Sequence, residues 1–140
     1  MEKKYKILAE FIKDLSAETT DIENYIFTKD NISNYKLHID ISTKPLKNKM
    51  AEVSISTKLK NEDNTKKSSY FEMIYAVIVK INDEVNTKEE LEPIFLKSVP
   101  NEVYPKIEII FLDLLKYSGY PNVKFEKKVN FDELFKNRSD

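Results

Sequence analysis

Alternation of apolar and polar positions dominates the first half of the chain and gives way to a longer period after Asn86. From Leu8 to Glu18, Phe11, Lys13, Leu15 and Ala17 fall on one side and Glu10, Ile12, Asp14, Ser16 and Glu18 on the other, which predicts a strand with an acidic face. The pattern is cleaner from Tyr35 to Ile41, where Tyr35, Leu37, Ile39 and Ile41 alternate with Lys36, His38 and Asp40. That segment reads as a second strand. After Pro45, a breaker, Ala51, Val53, Ile55 and Leu59 alternate with polar residues and form a third. The polar run Asn61 to Lys67 predicts a hydrated turn. Ser69 to Ile81 is apolar, aromatic and β-branched on both sides, as a strand covered on both faces would be. The stretch Thr19 to Asn34 is too long for a tight hairpin and predicts a crossover loop carrying Ile22, Tyr25, Ile26 and Phe27. The other connections are too short for a crossover helix, so the sheet is expected to be antiparallel.

Beyond Asn86 the signals are helical. Thr87 with Glu90 three positions on offers a capping box ahead of Leu91, Ile94 and Phe95, and Pro93 limits that segment to a short or kinked helix. Pro105 is expected to introduce the longest helix, Ile107 to Tyr117, with Gly119 just past its end and Pro121 beyond. Its apolar residues, among them Ile107, Ile110, Phe111 and Leu114, wrap too far round the axis for one buried stripe. A four-stranded sheet covers only one of the two faces, so the other predicts an interface with a second copy of the chain, a homo-oligomer. Asn130 can cap a last short helix holding Phe131, Leu134 and Phe135. The expected fold is therefore α+β: a four-stranded antiparallel sheet with a long crossover, followed by C-terminal helices, in one domain spanning 1–140.

Composition narrows the function. With 41% hydrophobic, 34% charged and 11% aromatic residues the chain should fold alone. Cysteine is absent, which removes disulfides, thiolate metal sites and thiol nucleophiles and fits a cytoplasmic setting. Lys and Arg number 23 against 24 Asp and Glu, so no global field attracts nucleic acid. No run of ~20 apolar residues suits a membrane span. The single glycine excludes glycine-rich phosphate loops. His38 is the only histidine, and with no cysteine or second histidine to complete a common catalytic or zinc set it reads as a solvated or core-edge residue. Asp14 and Glu18 are a carboxylate pair of the kind a glycosidase or a calcium site needs, yet alternation makes them part of a solvated strand face. No enzyme, cofactor or metal site is expected.

Several segments taken together resemble the SecB family of protein-export chaperones. Phe11-Ile12-Lys13-Asp14-Leu15-Ser16-Ala17-Glu18 is similar to that family's first strand. Val99-Pro100-Asn101-Glu102-Val103-Tyr104-Pro105 resembles its Cys-Pro-Asn-x-x-Phe-Pro motif. Gly119-Tyr120-Pro121 and Val129-Asn130-Phe131-Asp132-Glu133-Leu134-Phe135 resemble its closing motifs. The resemblance implies a tetramer built as a dimer of dimers that holds unfolded or precursor proteins in apolar grooves and delivers them to the SecA ATPase. It also implies a SecA-contacting patch at Asp14, Glu18, Tyr70 and Glu72.

A holdase must bind unrelated sequences, so its affinity should come from nondirectional apolar burial. The residues offered for such a groove are Tyr25, Ile26 and Phe27 in the crossover with Leu91 and Phe95 from the short helix. The same residues could instead close the chain's own core. Two functions stay open: a general export holdase, and a SecB-like chaperone dedicated to a toxin-antitoxin pair or another narrow interaction module. Breadth of binding separates them.

Overall fold

The computed structural model of the chain describes residues 4–61, 69–125 and 128–138. The alternating half forms one antiparallel sheet of β1 (Tyr5–Glu18), β2 (Lys36–Pro45), β3 (Met50–Lys60) and β4 (Tyr70–Ile81), in the order β1-β4-β3-β2. Apart from Asn61, the turn expected over Asn61 to Lys67 lies outside the described residues.

Pairing decides the faces, because residues directly opposite across two strands project to the same side. Phe71, Met73, Tyr75, Val77, Val79 and Ile81 of β4 are all buried, and with Val53, Ile55 and Leu59 of β3 they floor the core. On the other face β4 shows Tyr70, Glu72, Ile74, Ala76 and Ile78, of which only Ala76 is fully buried. The double-sided burial expected of this strand is thus complete on one side and partial on the other.

β1 departs from strict alternation. Its pairing with β4 slips between Ile7 and Ala9 and again between Ile12 and Asp14, so one extra residue sits at each place. Each insertion reverses the phase of the side chains that follow. Glu10 lies opposite Val77 on the core side, whereas Asp14, Ser16 and Glu18 lie opposite Ile74, Glu72 and Tyr70 on the outer side. The expectation that Glu10 shares a face with Asp14 and Glu18 is corrected by the bulge at Lys13. Glu10 instead accepts hydrogen bonds from the Tyr75 hydroxyl at 2.9 Å and the Lys106 amine at 3.0 Å. The Tyr5 hydroxyl donates to Glu102 at 2.9 Å, so β1 is tied to the long helix at two places one turn apart.

The β2–β3 hairpin closes through Asn48 and Lys49, with φ of 60° and 58° and a bond from the Met50 amide to the Lys47 carbonyl, the handedness that suits a twisted hairpin. The Lys49 amine lies 2.9–3.0 Å from the carbonyls of Asn82, Asp83 and Val85 and the Asn86 side-chain oxygen. It pins the turn to the segment leaving β4.

The crossover is not a loop. Asp21 accepts from the Asn24 amide at 2.8 Å and caps α1 (Ile22–Asn31), which a short 3₁₀ turn over Ile32–Asn34 joins to β2. The sequence pattern misses α1 because its buried positions are Asn24 and Thr28, while Ile22 and Ile26 point outward. α2 (Lys88–Pro93) begins at the Thr87 cap, whose hydroxyl accepts from the Glu90 amide at 3.3 Å. A π-turn over Ile94–Ser98 then runs into α3 (Val99–Tyr117). α3 starts eight positions before Ile107 and carries Pro105 within it. Pro105 and Asn101 are both exposed, so water can serve the carbonyl that the proline leaves without its helical donor. At the far end Tyr120 N–H bonds Leu115 O and Gly119 N–H bonds Lys116 O, with Gly119 at φ 105°. That pattern is a Schellman stop. α4 (Phe131–Arg138) is capped by Asn130, whose side chain accepts from the Glu133 amide at 3.0 Å.

The core lies between the sheet and α3, with Val103, Ile107, Phe111 and Leu115 fully or nearly fully buried. This corrects the assignment of Ile107 and Phe111 to an oligomer interface: both leave no surface for a second copy. Ile110 and Leu114 are half-buried against the core, and the exposed apolar side chains of α3 are Ile109 and Tyr117.

Candidate functional site

Three surfaces carry the residues that the sequence singles out. On the outer face of the sheet, at the end where β1 stops and β4 starts, Glu18 lies opposite Tyr70 and Ser16 opposite Glu72, with Asp14 one pair further on. The Tyr70 hydroxyl donates to Glu72, and Ser16 Oγ donates to Asp14 at 2.7 Å. Burial, the Glu72 hydrogen bond and the charges of Glu72 and Asp14 push the Tyr70 hydroxyl up from 10.0 to about 12, so it stays a neutral donor at physiological pH. Asp14, Glu18, Tyr70 and Glu72, far apart in sequence, therefore form one patch with three carboxylates around a tyrosine. Its limit is set by Lys58, 3.9 Å from Glu72, and by a basic strip beyond it where Lys36 faces Lys60 across β2 and β3.

The second surface is an apolar cleft at the opposite end of the sheet. The β2–β3 hairpin forms one wall with Thr43, Pro45 and Leu46, and Leu91 of α2 and Phe95 of the π-turn form the other, around about 380 Å³. Lys49 and Asn86 also line it, so the bonded lysine shapes the mouth. Pro45 is tolerated in β2 because this strand is an edge of the sheet, where a missing N–H costs no ladder bond. A smaller recess of about 140 Å³ lies further along β2, between Ile39, Ile41, Leu96, Leu134 and Phe135.

The third surface is α1, at the far end from the cleft. Tyr25 is half-buried, stacked on Tyr120 at 5.3 Å between ring centres, and its hydroxyl donates to the Gly119 carbonyl at 3.0 Å. Ile26 is exposed and Phe27 half-buried. The five groove candidates thus fall into two places: Leu91 and Phe95 line the cleft, Ile26 and Phe27 stand on α1, and Tyr25 is turned inward.

Sequence reasoning misses Thr43, Leu46 and Lys49, since a turn lysine carries no local sign of a partner more than thirty residues away. Ile22, noted in the crossover, is not offered for the groove, because reading α1 as a loop hides that it shares a helix face with Ile26. Among the described residues no three His, Cys, Asp or Glu side chains gather as a metal would require, and no helix is long and apolar enough to cross a membrane.

Residues 1–140 match the family described as Preprotein translocase subunit SecB. Over all 140 residues the chain is 48% identical to a protein of Pelagibacter ubique provisionally assigned as protein-export protein SecB, with 100% of both chains covered. It is 30% identical to the protein-export protein SecB of Orientia tsutsugamushi, across 97% of this chain and 84% of that one. Among solved structures, a SecB-like chaperone of Mycobacterium tuberculosis in complex with an antitoxin ChAD peptide superposes with a TM-score of 0.66 at 16% identity, covering 89% of this chain and 91% of the other. At that identity the likeness is one of fold.

Proposed function

Because the chain belongs to the SecB family of protein-export chaperones, we propose that it works as a holdase, keeping precursor proteins unfolded and passing them to a SecA-type ATPase. The observation that carries this reading is the apolar cleft beside Leu91 and Phe95. An open cleft of about 380 Å³ receives one or two large side chains without demanding a particular hydrogen-bond pattern. That is the recognition a general holdase needs: each apolar residue of a client gains on the order of 25 cal/mol per Å² buried, whatever its neighbours. One such contact is weak, and affinity grows when a flexible client reaches several clefts at high effective concentration. Assembly of several copies suits that requirement, with the half-buried Ile110 and Leu114 of α3 as the proposed contacts with a second chain.

The acidic patch supplies a separate partner surface. Asp14, Glu18 and Glu72 would attract a basic segment of the ATPase, and Tyr70 offers an apolar ring with a neutral hydroxyl at the centre. Patch and cleft lie at opposite ends of the sheet, so a client side chain seated in the cleft does not cover the patch.

The test mixes the purified chain with a reduced, permanently unfolded protein and follows both aggregation and the mass of the complex by light scattering. Suppression of aggregation at a defined stoichiometry is expected, and Leu91→Ser with Phe95→Ser should weaken client affinity about tenfold. Normal capture by that folded double variant would move the client site elsewhere. For the patch, Asp14→Lys with Glu72→Lys should abolish measurable ATPase binding at moderate salt and leave client capture unchanged. Unchanged ATPase binding would refute the assignment of these residues.

A further inference from the structure

Most amphipathic helices lay their apolar side on the core. α1 does so only in part: Tyr25 packs inward on Tyr120, but the most buried positions of the helix are polar. Thr28 and Asn24 are 0% and 5% exposed, while Ile22 and Ile26, one turn apart on the opposite side, are 62% and 51% exposed. Left to apolar burial alone, the helix would roll and hide its isoleucines.

Besides the Tyr25 contacts with Tyr120 and Gly119, what opposes that roll is a group of neutral hydrogen bonds centred on Ser69, a residue 1% exposed. Ser69 Oγ donates to Asn24 Oδ1 at 2.9 Å and lies 2.7 Å from Thr19 Oγ1 and 3.3 Å from the Tyr120 hydroxyl. The Ser69 amide donates to Thr28 Oγ1 at 2.9 Å, and its carbonyl accepts from the Tyr35 hydroxyl at 3.0 Å. Asn24 Nδ2 donates to Thr20 at 3.2 Å, and Thr28 Oγ1 lies 3.2 Å from the Tyr35 hydroxyl. The end of β1, the starts of β2 and β4, α1 and the segment after α3 all meet here. Rotating α1 would break these bonds in a place that water reaches poorly, and an unmet buried polar group is costly.

We propose that this network sets the rotation of α1, so that Ile22 and Ile26 stay in solvent as a contact surface for apolar segments of an unfolded client. The inference rests on the holdase reading and adds Ile22, Asn24, Thr28 and Ser69 to it, the last three as positioning residues. The occupant is a flexible client rather than a second folded copy, because two isoleucines offer far less than the ~800 Å² per partner of a stable complex. Weak contacts of that size suit a chain held at several points at once. The charges flanking the pair, Asp21, Glu23 and Asp30 against Lys29, leave the surface net acidic, a bias of charge that specifies no particular client sequence.

The absence of cysteine makes the rotation directly measurable. Ile26→Cys introduces the sole thiol, and its reaction rate with a maleimide reports its exposure. Rapid labelling is expected in the otherwise native chain, and labelling slowed by about tenfold or more when Asn24→Leu and Thr28→Val are added, as the helix rolls inward. Client affinity, read by fluorescence anisotropy of a labelled, permanently unfolded protein, should fall about fivefold in Asn24→Leu with Thr28→Val and in Ile22→Ser with Ile26→Ser. Thr28→Ser, which keeps the hydroxyl, should retain it. If packing rather than hydrogen bonding positioned the helix, Thr28→Ser would do more harm than the isosteric Thr28→Val, and the proposal would fail. Should the double variant not fold, Ser69→Ala removes the Oγ bonds to Asn24, Thr19 and Tyr120 but keeps the backbone bonds to Thr28 and Tyr35, and a smaller slowing of labelling in the same direction is expected; no slowing overturns the network's role. Undiminished affinity in the folded Ile22→Ser, Ile26→Ser variant overturns the contact surface, and a drop in its assembled mass would show that a second copy covers the isoleucines instead. If the native chain binds no unfolded protein, the holdase reading and this inference fall together; native binding with unchanged labelling rates overturns the inference alone.

Discussion

Replacing Phe111 by alanine should lower the stability of the chain by about 3–5 kcal/mol and its thermal midpoint by roughly 10 °C or more. Phe111 is fully buried between α3 and the sheet and lies 6.1 Å from Phe125 in a tilted ring pair. Its loss opens a cavity whose walls are backbone-anchored on both sides, so collapse can recover only part of the lost contact. Circular dichroism melts of Phe111→Ala and Leu114→Ser separate the core role from an interface role. Phe111→Ala should lose stability at every protein concentration. Leu114→Ser should matter chiefly through assembly, and therefore with a concentration dependence. A Phe111→Ala protein that melts normally but dissociates would restore the interface reading that its burial argues against.

The second large effect is expected at Lys49. Lys49→Met keeps most of the aliphatic stem but leaves three carbonyls and the Asn86 side chain without their common donor. About 2–3 kcal/mol of stability should disappear, since bonds from a charged donor are among the stronger ones and these join two segments more than thirty residues apart. The same substitution should loosen the mouth of the apolar cleft. Denaturant unfolding and client titration on one sample check both at once: lower stability with unaltered client affinity would confine Lys49 to the fold. Lys49→Arg, which retains a cation in a different geometry, should fall between the two.

β2, β3 and β4 are legible in sequence because their alternation is unbroken and pairing only extends it by a few residues at the ends. β1 is legible as a strand but not by face, since the extra residue at Lys13 is invisible in a list of polar and apolar positions. That one insertion moves Glu10 out of the acidic patch and still leaves Asp14 and Glu18 in it. α1 escapes notice because its fold-determining side is made of Asn24 and Thr28, residues that a hydrophobic pattern scores as solvent-facing. α3 begins earlier than expected because Pro105 stands where its missing N–H leaves only a solvated carbonyl unmet. The patch residues come from family resemblance and the cleft residues Leu91 and Phe95 from apolar exposure. The other wall of the cleft depends on where a hairpin folds back, which only the structure supplies.

The pairing of β1 with β4 also sets an order of events on the ribosome. Tyr5 meets Ile81, and Glu18 meets Tyr70, so β1, made before the other three strands of the sheet, finds its partner only after they have emerged. At about 5–20 residues per second that interval lasts several seconds, long compared with the microseconds in which a hairpin closes. The β2–β3 hairpin, nucleated by its local turn at Asn48 and Lys49, can therefore form while β1 is still waiting. During those seconds Leu8, Phe11, Ile12 and Leu15 travel on an unpaired nascent segment, and this protein is for that time itself the kind of apolar, unfolded chain that chaperones hold.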